Sequence, residues 1–288
     1  MINYNPKNWL NFIFSFHKSD TVRMMWKELV YISLLSILIA YVEMTFFPEA
    51  YFLKNLTTVY SLLGFVISLL LVFRTNTAYD RWWEGRKAWG AFVNDTRSLS
   101  SKLGAVALTP EEKSTFNRLI PLFVFAAKQH LRNQDLKEEA SAVLNLEGLD
   151  LSGHQPLRII QLLRVEIENL LQKETIHKQS WLALNRDLDA LITSLGICER
   201  IKNTPIPFSY SLFIKKFIFI YVVTMPLAFV PLFGYLSAFI STFVFYALVS
   251  MELLAEEIED PFGSDQNDLP TDQLCLTIQQ NCQQIFGV

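Results

Sequence analysis

Residues 56–73 read LTTVYSLLGFVISLLLVF, a run with no charged side chain that Arg74 closes. A helix that crosses a bilayer needs ~20 mainly apolar residues, so this run reads as a membrane span. Working outward, Leu29 to Phe47 supplies a second span, interrupted only by Glu43 near its end and closed by Pro48. Far downstream, Phe217 to Phe233 makes a third that contains Pro226 and Pro231. Prolines are tolerated in a membrane helix where neighbours satisfy the freed carbonyls. Leu236 to Leu254 makes the fourth, and only Gly234 and Tyr235 separate it from the third, which predicts a tight antiparallel hairpin.

The composition agrees: 51% of the 288 residues are hydrophobic, above an ordinary soluble domain. The excess sits in two blocks, Leu29 to Phe73 and Phe217 to Leu254, while the stretch between them is charged like a soluble protein. A net charge of −3 lacks the basic face that nucleic acid requires, so no nucleic acid is expected. Cys198, Cys275 and Cys282 lie outside the apolar blocks without a CxxC pair, which argues for free thiols in a reducing compartment. The first twenty residues lack the pattern of a cleaved signal peptide. Trp9, Phe12, Phe14 and Phe16 beside Lys7 and Lys18 suit a short amphipathic segment, for the membrane surface or the protein body.

Orientation follows from the basic residues. Lys18, Arg23 and Lys27 precede the first span, Arg74, Arg81, Arg86 and Lys87 follow the second, and Lys215 and Lys216 precede the third; the other side has only Lys54. Positive charge stays inside. Both termini and the middle segment are therefore expected in the cytoplasm, with the chain a multi-pass protein of the inner (plasma) membrane. The expected division is a membrane-surface segment at 1–27, a helix pair at 28–73, a cytoplasmic body at 74–216, a second pair at 217–254 and a C-terminal region at 255–288.

The middle segment is expected to be helical, because apolar residues recur every three and four positions, as in Phe116, Leu119, Ile120, Phe123, Phe125 and Ala126. Thr109-Pro110-Glu111-Glu112 is a helix start with cap, proline and acidic first turn in order. Further helices are expected over about 156–172 and 179–202, with an irregular polar stretch from Asn133 to Pro156. The fold class is thus an all-α membrane protein: four transmembrane helices and a helical cytoplasmic domain.

On the second span Thr57, Ser61, Gly64 and Ser68 share one helix face, small enough for close packing. The opposite face carries Val59, Leu62, Val66, Leu70 and Phe73. Periodicity alone leaves lipid contact and a dewetting constriction both open. His17, His130, His154 and His177 are scattered without an HxxxH or HExxH pattern, so neither metal nor cofactor is expected. No nucleophile, acid pair or phosphate loop stands in register, which argues against an enzyme. Glu43 and Glu252 lie toward span ends, away from the positions that pumps and carriers use.

After the second span the chain reads RTNTAYDRWWEGRKAWG from Arg74 to Gly90. Interfacial tryptophans among mixed charges would suit an anchor. The run also resembles the signature of the bestrophin family, especially its prokaryotic branch, through Arg74, Asn76, Asp80, Arg81, Trp82, Glu84, Arg86 and Trp89. Two further matches follow in order: Cys198-Glu199-Arg200-Ile201 with Thr204-Pro205-Ile206-Pro207-Phe208, and an acidic turn of Asp260, Pro261, Phe262, Gly263, Asp265 and Asp268.

The resemblance implies a homo-pentamer around one pore lined by the second span, with Leu62, Val66 and Leu70 as an apolar neck. It also implies a second constriction nearer the cytoplasm, expected at Leu188, with Leu184 and Leu191 as alternatives. The family's calcium-holding carboxylate run is reduced here to Asp265 and Asp268, so calcium activation is not expected. Similarity to the prokaryotic branch implies passage of monovalent cations such as sodium; a chloride channel of the same architecture is the alternative. A carrier or membrane receptor is the competing reading. Asp80, Arg81 and Glu84 are candidates for ion pairs.

Overall fold

The computed structural model describes residues 21–47, 55–136 and 152–287. Most of the expected N-terminal segment, Lys54, and residues 137–151 of the polar stretch lie outside them. Every regular element among the described residues is a helix: α1 (Thr21–Phe46), α2 (Leu56–Gly104), α3 (Pro110–Arg132), α4 (Gln155–Gln172), α5 (Lys178–Asn203), α6 (Phe208–Thr224), α7 (Pro226–Phe233), α8 (Leu236–Glu259) and α9 (Thr271–Phe286).

Four of these stretches are long and apolar enough to cross a membrane: α1, α2, α6 with α7, and α8. The chain divides into two compact units, the first comprising residues 1–81, 205–259 and 265–267, the second 82–204, 260–264 and 268–288. The first division falls at Arg81, past the expected boundary at Phe73, because α2 does not stop where its apolar run ends. The second falls at Pro205, ahead of α6, which starts at Phe208 and carries Lys215 and Lys216 before the apolar run from Phe217.

In the first unit, α1 bends at Met25 (φ −119°, ψ 23°), then buries Ile32, Ser36, Ala40 and Glu43 along one face. It packs on α8, which buries Ser237, Ala238, Ser241 and Phe245. Small side chains on both faces bring the two backbones close, the usual basis of helix association in lipid. The third span divides at Pro226, which has no N–H to give the carbonyl of Val222. That carbonyl instead accepts the N–H of Met225 at 3.3 Å. The predicted hairpin is present, and Gly234 turns it with φ 54°, ψ −134°, a conformation that strongly favours glycine.

In the second unit α3 is central. Its predicted start at Thr109 is closed by a capping box with Glu112, and its C-cap is Asn133 in the left-handed region (φ 54°). From Leu119 to Gln129 every residue of α3 is buried, as expected of a helix covered on several sides; α4, α5 and α9 pack on it. Trp89 stands edge-on to Phe92 of the same helix, with centroids 5.4 Å apart, and Phe92 stands edge-on to Phe123 of α3 at 5.7 Å. The cysteines are free and buried. Burial first, then the charges of Glu199 and Glu84, pushes the Cys198 thiol up to about 12, leaving it unreactive.

Candidate ion pathway

Along α2 the first unit buries Tyr60, Ile67, Leu71, Arg74 and Ala78. With Gly64 these form one row at offsets of four and three. Gly64 belongs to it by contact: a Cβ there would stand 2.7 Å from the Tyr221 hydroxyl, which donates to the Tyr60 carbonyl at 3.2 Å. The packing face is thus one register away from the predicted Thr57, Ser61, Gly64 and Ser68. Thr57 does reach a neighbour, donating to the Ala228 carbonyl at 3.1 Å. Ser61 and Ser68 remain exposed and turn their hydroxyls onto Thr57 and Gly64 carbonyls of their own helix.

The row diametrically opposite is Leu62, Val66, Leu69, Phe73, Asn76 and Asp80, again at offsets of four and three. All six are exposed, Leu62 at 64% and Val66 at 38%. An apolar stripe therefore passes into an amide and then a carboxylate along one line of one helix. Leu70 lies off this line and is partly buried against the core of the first unit; its carbonyl accepts the Tyr210 hydroxyl at 3.4 Å.

The signature residues divide between support and surface. In the first unit the guanidinium of Arg74, 1% exposed, donates through Nη2 to Glu259 Oε2 at 2.6 Å. The other carboxylate oxygen, Oε1, accepts the Ile206 N–H at 2.6 Å, and the Glu259 carbonyl accepts Arg81 Nε at 3.2 Å. One glutamate at the end of α8 thus ties α2 to the Thr204–Phe208 loop. Glu259 stands in the run from Glu257 to Gly263 that carries the third family match, where the sequence assigned it no partner.

In the second unit Arg200 meets Glu84 at 2.5 Å, an ion pair whose partner the sequence did not name. A Cβ on Gly85 would lie 3.1 Å from both Pro261 and Phe262, so the turn seats closely on α2. Phe262 is buried, and its carbonyl accepts Arg132 Nε at 3.1 Å. A Cβ on Gly263 would meet Asp268 Oδ2 at 2.7 Å. Asp268 is buried and Asp265 exposed, so the two carboxylates of the acidic turn sit in unlike surroundings. Trp89 is fully buried and Trp82 packs against the same core, which replaces the interfacial-anchor reading for both. Asn76, Asp80 and Arg86 are exposed.

Across the whole chain, a family model described as bacterial/fungal bestrophin protein matches residues 1–284. The chain belongs to the bestrophin family. It is 39% identical over 233 residues to the voltage-dependent anion channel-forming protein sll1024 of Synechocystis, covering 77% of this chain and 75% of that one. With voltage-dependent anion channel-forming protein YneE of Escherichia coli K12 it shares 31% over 286 residues, 97% of this chain and 92% of the other. Among solved structures, a mutant of a bacterial bestrophin homolog from Klebsiella pneumoniae aligns with TM-score 0.84 at 28% identity, over 92% of this chain and all of that one.

Within this bestrophin chain the expected second constriction needs correction. Leu188 is 0% exposed, and Leu184 and Leu191 are buried beside it in the stripe that α5 turns toward α3 and α4. A side chain with no free surface in its own subunit cannot narrow a water-filled path. On the same helix the exposed large aliphatic residue is Leu182, at 55%.

Proposed function

We propose that this chain is one subunit of a passive, bestrophin-type ion channel: a homo-pentamer in the plasma membrane, both termini cytoplasmic, with α2 from each subunit lining one pore. Leu62 and Val66 form its apolar neck, and Leu70 contributes its exposed edge. The observation that carries this reading is the exposed row on α2 opposite its buried row. Five such rows facing one axis make an apolar ring, and a ring narrow enough to expel water is a large barrier that slight widening removes.

The ion is a monovalent anion such as chloride. The names of the relatives at 39% and 31% identity speak of anion channels, and this replaces the sodium expected from the prokaryotic resemblance. One observation favours cations instead: Asp80, on the neck row, is exposed and has no ion-pair partner among the described residues. An uncharged neck selects on hydration more than on sign, so a carboxylate ring beside it would set the sign.

Purified protein in planar bilayers under a sodium chloride gradient tests both readings. A reversal potential near the chloride value supports the anion channel; one near the sodium value, moved toward zero by Asp80→Asn, supports the second. Leu62→Ala raises flux about tenfold, the effect of a barrier lowered by ~1.4 kcal/mol. No conductance in wild type or variant removes the channel and leaves a receptor or carrier.

A further inference from the structure

His130, His154 and Glu199 belong to three different helices of the second unit, and the fold brings them together. His130 lies in the last turn of α3, His154 is the N-cap of α4, and Glu199 lies near the C-terminal end of α5. Both imidazoles present Nε2 to the same carboxylate oxygen: His130 stands 2.9 Å and His154 2.8 Å from Glu199 Oε1. The rings are 4.4 Å apart between centroids, and the ligating atoms all lie within 4.8 Å of one another. This is the only such group of potential metal ligands among the described residues. The three side chains are 28–38% exposed, open to solvent while held in place by helix ends.

We propose that His130, His154 and Glu199 form a binding site for one divalent transition-metal ion of the zinc class, held by two imidazole nitrogens and one carboxylate oxygen, with water in the fourth position. Imidazole donors select zinc-like ions over calcium or magnesium, which take oxygen. Two histidines and a glutamate with one open position are an established zinc set. Burial, then the neighbouring His154, pushes His130 below the usual imidazole range against the pull of Glu199.

The nearby positive charges are already engaged. Lys202 donates to the His130 carbonyl at 2.7 Å and to Asn133 Oδ1 at 2.5 Å, and Arg200 is paired with Glu84. Ligand atoms ~2.0 Å from a tetrahedral zinc are ~3.3 Å apart. The two imidazole-to-carboxylate distances therefore open by about half an ångström on loading, within the reach of side-chain rotation. His154 then carries its proton on Nδ1, giving up the 3.3 Å bond it accepts from the Leu157 N–H. The ion fastens the ends of α3, α4 and α5 to one another.

The test uses untagged full-length protein, stripped with a chelator and titrated with Zn2+ against a fluorescent competitor. One Zn2+ per chain is expected. Affinity falls at least tenfold in His130→Ala, His154→Ala and Glu199→Gln, and holds in His177→Ala, whose ring is exposed outside the cluster. X-ray absorption at the zinc edge reads a nitrogen- and oxygen-ligated four-coordinate ion without sulfur. Absence of stoichiometric binding, or binding unchanged in correctly eluting His130→Ala and His154→Ala protein, overturns the site and leaves a hydrogen-bonded triad.

Discussion

Leu62 and Leu188 were both expected to face an ion path, and the two units treat them in opposite ways: Leu62 is 64% exposed and Leu188 is 0% exposed. In the second unit, apolar periodicity marks the core, because water drives such side chains inward. Leu184, Leu188, Leu191 and Leu195 form one buried stripe for that reason. In the first unit the solvent is itself apolar, so a helix can be oily on every side and its buried face is not the more hydrophobic one. The row that α2 buries there is distinguished by Gly64 and Arg74, a small residue and a charge.

The comparison breaks first, and with the largest effect, at Arg74. If polar groups specify the membrane unit as leucines specify the other, removing this guanidinium is costly, because Glu259, 13% exposed, loses its partner. Arg74→Ala is expected to destabilise by about 3–5 kcal/mol, the range for breaking a buried ion pair. Thermal unfolding in detergent measures it. A variant that melts with the wild type would show the pair to be incidental.

Next comes the leucine pair itself. Leu188→Ala leaves a cavity in a packed core and is expected to destabilise by about 2–5 kcal/mol, without altering conductance per folded channel. Equilibrium denaturation beside single-channel recording separates these quantities. A stable Leu188→Ala channel with raised conductance would return the second constriction to Leu188.

How much was legible follows from the same physics. The four spans and the Gly234 hairpin were, since crossing a bilayer demands a long apolar run and a two-residue connection leaves one geometry. The start of α3 at Thr109 was, because a capping box is local. Helix after Arg74 was legible as a juxtamembrane segment, but not its fusion with the span into one helix reaching Gly104, because Arg74 ends the apolar run without ending the helix. Arg74 with Glu259, and His130 with His154 and Glu199, were missed because each group joins residues far apart in the chain, where spacing carries no information. The exposed row of α2 was legible in chemistry but not in partner, since lipid and a dry pore accept the same side chains.

The smallest expected effect lies at the edge of the second unit. Asp272 binds Lys128, 1% exposed, at 2.7 Å and Arg132 at 3.0 Å. Burial alone would raise its carboxyl, but these hydrogen bonds and charges outweigh it and hold the group at about 2. An unfolded chain binds that proton near ~3.9. Between those values the unfolded state holds more protons than the folded one, so stability falls as pH drops from about 4 through about 2 and is flat above ~5. Asp272 is 58% exposed, so solvent screening reduces the pair's worth, and Asp272→Asn is expected to cost about 1–2 kcal/mol at pH 7. Denaturation of both proteins at pH 7, 5, 4 and 3 reads it: the gap holds to pH 5 and closes steadily below. A gap that persists undiminished at pH 3 would mean that the core needs the shape of this side chain and not its charge, making the second unit indifferent to buried charge where the first depends on it.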